Sequence, residues 1–299
     1  MNCSAVLLNK RFTLIQFTIA PLPVAFAALI ALSIVFFATP SRALQAQITP
    51  KSPALGDTIS VITQSQSAPT VGFNGKNYPA FNLGNHRYRT LLPTTPLDRP
   101  GRLSIQVTDG TNTQTIPLTL RNRSFPTQSI WLPPGKDDDG NDYEFDRIDA
   151  FKAIVSPEKF WSDKFARPNS GGVTSGYGIR RYYNGVFAKD YYHRGIDYAG
   201  GYGSAIVAPA PGRVVLIGRE SQGFKVHGNC VGLDHGQGVE TIYIHMSRID
   251  VREGDFVRPG QRIGAIGDTG AATGPHLHWG LFVHGAAVDP DPWRRNHFE

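Results

Sequence analysis

The longest apolar stretch of the chain lies near its amino terminus. From Phe12 to Ala38 it is interrupted only by Gln16, a few Thr and Ser residues, Pro21 and Pro23, and Lys10 and Arg11 precede it. Its densest part, Val24 to Phe37, has the length of a signal-peptide core. Ser41-Arg42-Ala43 then places small residues at positions −3 and −1 of a cleavage site after Ala43. The full run is also long enough to cross a bilayer, although its prolines weaken a continuous helix. Residues 1–43 are therefore expected to be a signal peptide or a membrane anchor. In either case Lys10 and Arg11 stay in the cytoplasm and the remainder is exported.

Beyond residue 43 the pattern changes to short alternating segments. Thr58 to Thr63, Arg102 to Thr108 and Gln114 to Leu120 each place apolar residues at every second position, the period of a half-buried strand. Asp109-Gly110 between the last two marks a hairpin. Strands of this length and spacing predict an immunoglobulin-like β-sandwich over residues 44–125. Residues 126–164 read as a linker and a connecting helix. Pro126, Pro133-Pro134-Gly135 and the acidic run Lys136 to Asp142 make Ser124 to Asp142 a connector. Counted from Asp137, the acids miss the glycine and glutamate positions of a calcium loop, so a solvated turn is expected. Phe145, Ile148, Phe151 and Val155 recur at helical spacing and predict a helix over 143–155 that docks by that face. From residue 165 onward glycines and prolines separate further strands, including Gly212 to Ile217, Cys230 to Gly236 and Glu240 to His245.

Composition sharpens this picture. The 299 residues suffice for two ordinary domains, and 32 glycines, 22 prolines and a charged fraction of 18% favour turn-rich β structure over helix bundles. The formal charge is +6. Loss of Lys10, Arg11 and Arg42 with the leader, and of no acid, would lower it by three. A mildly basic exported protein is compatible with an anionic cell wall, and nothing resembles a nucleic-acid-binding module. Cys3 falls in the leader, which leaves Cys230 as the only other cysteine and excludes an internal disulfide after cleavage. Cys230 is expected to be a small buried residue.

The candidate chemistry is carried by histidines. Of nine, only His86 precedes residue 193, and it has no second ligand nearby. His276-Leu277-His278 lies in an apolar run after Gly-Pro, and in a strand both imidazoles would share one face. His193-Arg-Gly195-Ile-Asp197 lies upstream and Tyr243-Ile-His245 lies between. Catalytic zinc is held by three protein ligands drawn from His and carboxylate, with the fourth position left to water. His193, Asp197 and His278 would supply that set, and His245 and His276 would remain to handle protons. Gly195 is expected to provide a tight turn between two ligands. The glycines at 264, 267 and 270 fit close strand crossing rather than a phosphate loop. Tyr182, Tyr183, Tyr191 and Tyr192 flank a loop expected to rim a groove. Arg180 is read as structural, His235 as structural, and His227, His284 and His297 as solvated or packed.

These three segments resemble the lysostaphin-type zinc metallopeptidases, in which His-x-x-x-Asp, a lone His and His-x-His occur in this order. The resemblance covers about Phe165 to Trp293 and includes the Ser-x-aromatic-Gly-x-Arg segment ending at Arg180. It implies a C-terminal antiparallel β-sheet metallopeptidase domain with an open groove over residues 165–299, in a chain that is mainly β. It implies one Zn2+ on His193, Asp197 and His278, and hydrolysis of peptide stems or cross-bridges of bacterial peptidoglycan by a zinc-activated water. His276 would take the proton and pass it to the leaving amine. His245 would bond the developing oxyanion or hold His276 in place. The expected location is the periplasm or cell envelope, with membrane contact only through the amino-terminal segment. The alternatives are a non-catalytic wall-binding or amidase-activating module of the same fold, which the intact ligand set disfavours, and a zinc peptidase acting on protein. Both Gly-Gly bridges and D-Ala–diaminopimelate cross-links fit the sequence.

Overall fold

A computed structural model describes residues 44–136 and 140–298. The expected leader, residues 1–43, and the acidic residues 137–139 lie outside the described residues. Among the described residues no helix is long and apolar enough to cross a membrane. The chain is mainly β, and among the described residues its strand ladders are antiparallel except that of Thr127–Ile130 with Arg180–Tyr183.

The amino-terminal strands form two antiparallel sheets. One runs Gln45–Thr49, Thr58–Gln64, Arg87–Pro93, Phe81–Gly84; the other runs Lys76–Tyr78, Thr70–Phe73, Gly101–Thr108, Thr113–Leu120. Alternation along the strands buries one face of each sheet in a shared core. Ile59, Val61 and Leu92 from the first sheet meet Val71, Phe73, Ile105, Val107 and Leu118 from the second. The expected Asp109–Asn112 hairpin forms, with Gly110 at φ 91° and the Asp109 carboxylate accepting the amides of Thr111 and Asn112. His86 is an exposed turn residue in the left-handed region.

The connector is more ordered than its composition implies. Thr127–Ile130 is a strand, paired in parallel with Arg180–Tyr183. The helix spans Asp142–Lys152 and is capped by the Asn141 side chain, which accepts from the Glu144 amide at 3.0 Å. Its buried face is Glu144, Ile148 and Phe151, whereas Phe145 and Val155 are exposed. The Glu144 carboxylate fixes this rotation by accepting the successive backbone amides of Lys225, Val226 and His227. The helix stops short of residue 155 because the following backbone pairs elsewhere. Ser156 O accepts from Gln237 N at 2.7 Å, and Phe160 N donates to His235 O at 3.0 Å.

The carboxy-terminal part is built on a twisted antiparallel sheet. Its strand order is Val173–Ser175, Gly195–Ala199, His276–Val283, Val239–Ile244, Cys230–Gly236, Gly212–Gly218, Phe256–Val257, with Ala286–Val288 paired to His276–Val283. One face carries Ile196, Tyr198, Val231, Leu233, Tyr243, Leu277, Trp279 and Leu281 into the main core. The opposite face carries Ile242 and Phe282 beneath Ile148 and Phe151 of the helix, and its open end forms the floor of a groove. A second sheet of Ala205–Val207, Arg262–Ile266 and Met246–Ile249 packs Ile206, Met246, Ile263 and Ile266 into the same main core. Free Cys230 is buried, and burial pushes its thiol up, as expected for a packed residue rather than a nucleophile.

The amino-terminal sheets are joined to this part through Trp293 and its surroundings. The Trp293 indole N–H donates to Thr58 Oγ1 at 3.0 Å, its ring stacks on Phe298, and Leu91 enters the main core. Asp289 ties in Arg123 at 2.6 Å and, through its amide, Gly56 O at 2.8 Å. A Trp293→Ala substitution is expected to destabilise the chain by about 3–5 kcal/mol, the usual loss for a buried tryptophan. A lowered urea unfolding midpoint would register it.

Candidate metal centre

Strand register brings the first two site residues together. In the antiparallel pair of Gly195–Ala199 with His276–Val283, Asp197 stands directly opposite His278 and Ala199 opposite His276. Asp197 and His278 therefore project from the same face. His193 enters from the turn that precedes the strand. Its Nε2 lies 2.9 Å from Asp197 Oδ1 and 2.9 Å from His278 Nδ1, and those two atoms are also 2.9 Å apart. His193, Asp197 and His278 thus form one cluster, all of them buried or nearly so.

The hydrogen bonds fix what these atoms offer. His193 Nδ1 faces Gly176 O at 2.6 Å, and a carbonyl only accepts, so Nδ1 donates there and Nε2 is the edge turned toward the other two residues. Burial pushes His278 down to about 4, which keeps it neutral near pH 7. Burial opposes ionisation of Asp197, but His193 and His278 outweigh it and hold the carboxylate well below its usual range. Two imidazole nitrogens and a carboxylate oxygen thus converge on one point, an arrangement that could hold a shared cation. Edges of 2.9 Å are small enough for one ion to reach all three corners at a zinc–ligand distance of about 2.0–2.1 Å. The donor set fits zinc, with two nitrogens and one hard oxygen.

His245 and His276 form a second layer of the site, with ring centroids 4.8 Å apart. His245 Nδ1 donates to Thr269 O and His276 Nδ1 to Gly274 O, both at 2.8 Å, leaving each Nε2 with a lone pair. His245 follows the Val239–Ile244 strand with φ +63°, a left-handed conformation that costs on the order of 1–3 kcal/mol for a non-glycine residue. Its amide donates to His227 O at 3.0 Å. Burial, reinforced by His276, holds the His245 imidazole well below its ordinary value.

Two expectations are corrected here. Gly195 does not make a turn; it opens a strand, and its role is close approach. A Cβ there would run into the Trp279 carbonyl and come within 2.8 Å of His278 Nε2. The four tyrosines also divide. Tyr183 and Tyr191 line the groove, but the Tyr192 hydroxyl donates to Ala287 O inside the core, and Tyr182 lies exposed against Phe187.

The groove has a volume of about 1070 Å3 and is lined by Asp197, His245, His276 and His278. One wall holds Tyr183, Tyr191, Arg181 and connector residue Ile130; the other holds Phe145, Ile148 and His227. No residue of 44–125 lines it. Arg181 was not singled out by sequence reasoning, which weighed its neighbour Arg180. The guanidinium of Arg181 reaches Asp197 Oδ2 at 3.2 Å, whereas that of Arg180 lies over the Phe187 ring. Neighbours on a strand face opposite ways, so the Arg180-Arg181 pair was the available signal, without a register to say which one turned inward. His227 and Glu144 were missed as well: His227 Nδ1 donates to Glu144 Oε1 at 2.7 Å. His235 is structural as expected, bonded to Pro211 O and Thr241 Oγ1. His284 packs near Tyr78 and His297 lies exposed beside Asp163.

Residues 191–290 match the model of Peptidase family M23. Over 98 residues the chain is 43% identical to the DD-carboxypeptidase/endopeptidase Mpg of Neisseria meningitidis serogroup B, covering 33% of this chain and 22% of that protein. Over 97 residues it is 40% identical to the peptidoglycan DD-endopeptidase ShyA of Vibrio cholerae serotype O1, covering 32% of this chain and 22% of that protein. The aligned part thus spans about a fifth of the length of these relatives. A crystal structure of a putative peptidase M23 from Pseudomonas aeruginosa superposes with a TM-score of 0.62 at 26% identity, over 84% of this chain and 97% of that one. Residues 191–290 thus carry a peptidase family M23 domain, which meets the lysostaphin-type resemblance read from the motifs.

Gly195→Ala is expected to destabilise the fold by about 1–3 kcal/mol, because the added methyl meets main chain rather than a flexible side-chain end. A lower thermal melting temperature with unchanged secondary structure below the transition would show it.

Proposed function

We propose that the chain is an exported zinc-dependent endopeptidase that hydrolyses peptide cross-links of peptidoglycan. The observation that carries this reading is the convergence of three lone-pair atoms 2.9 Å apart in a groove that also holds two tautomer-fixed histidines. Export rests on the apolar leader of residues 1–43. The substrate class rests on the M23 domain and on relatives named as DD-endopeptidases, which favour a D,D cross-link over a Gly-Gly bridge. The domain organisation follows the same division: residues 44–125 as a sandwich, 126–164 as a connector and 165–299 as the peptidase.

His193 Nε2, Asp197 Oδ1 and His278 Nδ1 hold the metal. When bound, zinc supplies a Lewis acid that polarises the scissile carbonyl and makes a water acidic enough to attack near neutral pH. Arg181 fixes the carboxylate of Asp197 by its second oxygen, so that Oδ1 keeps its direction toward the metal. His276 is the more exposed of the two remaining imidazoles, and its Nε2 lone pair takes the proton of the attacking water. The same Nε2 then returns the proton to the amine that leaves. His245, buried and neutral, positions His276 and faces the reacting oxygen. The low-lying His245 and His278 stay neutral at the pH where the groove works, so neither repels the cation.

The reading is tested by incubating the purified chain with cross-linked muropeptides, with and without a chelator. Product masses should show cleavage that is abolished by the chelator and by His276→Ala and His278→Ala. Metal should be lost in His278→Ala and retained in His276→Ala. Bound zinc with no muropeptide cleavage would sink the wall substrate. Neither zinc nor cleavage would favour a binding or activating module.

Two substitutions refine the roles. Arg181→Met should weaken zinc binding by about 10–100-fold, the usual effect of losing a group that orients a ligand, as read by competition with a chromogenic chelator. His245→Asn keeps a residue that tolerates the left-handed backbone, so the melting temperature should change little. Muropeptide turnover should nevertheless fall by about 100-fold or more. A His245→Asn chain with near-normal turnover would remove His245 from the mechanism.

A further inference from the structure

Glu144 is completely buried, yet it belongs to the connector helix and lies upstream of the matched peptidase segment. Its two oxygens accept three successive amides, those of Lys225 at 2.8 Å, Val226 at 3.1 Å and His227 at 2.7 Å. A fourth donor is the His227 ring, through Nδ1 at 2.7 Å. Burial works against this carboxylate, but His227 and the amides outweigh it and hold it below its usual range, so it remains an acceptor. His227 Nδ1 therefore donates to the carboxylate, and Nε2 is the other edge of the ring.

That edge belongs to the groove. His227 lines it, its side chain is 19% exposed, and Nε2 makes no hydrogen bond among the described residues. The residue stands next to the reacting groups. Its carbonyl accepts the His245 amide at 3.0 Å, and Val226 O accepts the amide of Ala271, in the loop that leads into His276. A purely structural anchor for this turn would need only the three amides on Glu144. The fourth bond orients a ring whose other edge faces open groove.

We propose that His227 is a substrate-binding residue, held by Glu144 so that Nε2 hydrogen-bonds a backbone amide group of the peptide stem bound beside His245. The assignment deepens the endopeptidase reading and rests on it. It makes the connector helix part of the substrate site, since the helix supplies the carboxylate that orients the ring.

The test measures kcat and KM for cross-linked muropeptide with the zinc-loaded full chain and with His227→Phe and His227→Gln. Muropeptide Kd is measured by calorimetry for the same substitutions on the His276→Ala background. His227→Phe should raise KM and Kd about tenfold, the loss of one hydrogen bond in a shielded site, with kcat changed by less than about threefold. His227→Gln, whose amide can accept or donate, should recover most of that loss. Zinc content and melting temperature should be unchanged in both. Unchanged KM and Kd in His227→Phe would overturn the assignment while wild-type cleavage preserves the endopeptidase reading. So would a fall in kcat and melting temperature that glutamine does not rescue. A wild-type chain that neither binds nor cleaves the muropeptide would overturn both.

Discussion

The pairing of Asp197 opposite His278 is the constraint on which the site depends. Side chains alternate across a strand, so a slip of one residue would send one of the two into the core. The apolar residues interleaved with them prevent that slip. Ile196, Tyr198, Leu277 and Trp279 fill the opposite face and can be buried in only one register. The same ladder sets Ile244 beside His278, and His245 follows it out of the strand with a left-handed backbone. Hydrophobic burial thus holds polar atoms in an arrangement that they would not adopt unaided.

Main-chain carbonyls supply the next level of order. Gly176, Thr269 and Gly274 each accept the Nδ1 proton of a site histidine, and each lies in a loop packed against the sheet. Tautomer choice is therefore written into the backbone. Burial acts in the same direction by disfavouring the charged imidazoles of His245 and His278. The strain at His245 is offset by its amide bond to His227 and its ring bond to Thr269.

The segments outside the family match contribute unequally. The amino-terminal sheets meet the carboxy-terminal part around Trp293, Asp289, Gln237 and His284, at or beyond the strand ends remote from His276 and His278. The connector instead reaches the groove on both sides. Its Thr127–Ile130 strand extends one wall, its helix supplies Phe145 and Ile148 to the other, and Lys136 binds Asp268 O in the loop before the His-x-His strand. A stretch that composition marks as a linker is in this way part of the groove.

Much of this was legible in the residues. Period-two alternation located the main strands, and the order His-x-x-x-Asp, His, His-x-His located five groups, four of which line the groove while His193 lies buried behind them. Those signals are local, and they survive because strand periodicity and motif spacing are properties of the chain itself. Arg181, Glu144 and His227 carry no local mark. Their roles depend on which face of a strand or helix turns inward, and only packing decides that. The helix rotated toward Glu144 rather than toward Phe145 because three amides 81 to 83 residues away needed an acceptor. The sequence by itself determined the mainly β fold and the candidate set of metal-binding side chains. The tertiary structure decided the register, the tautomers and the walls of the groove, since each of these arises from contacts between residues far apart along the chain.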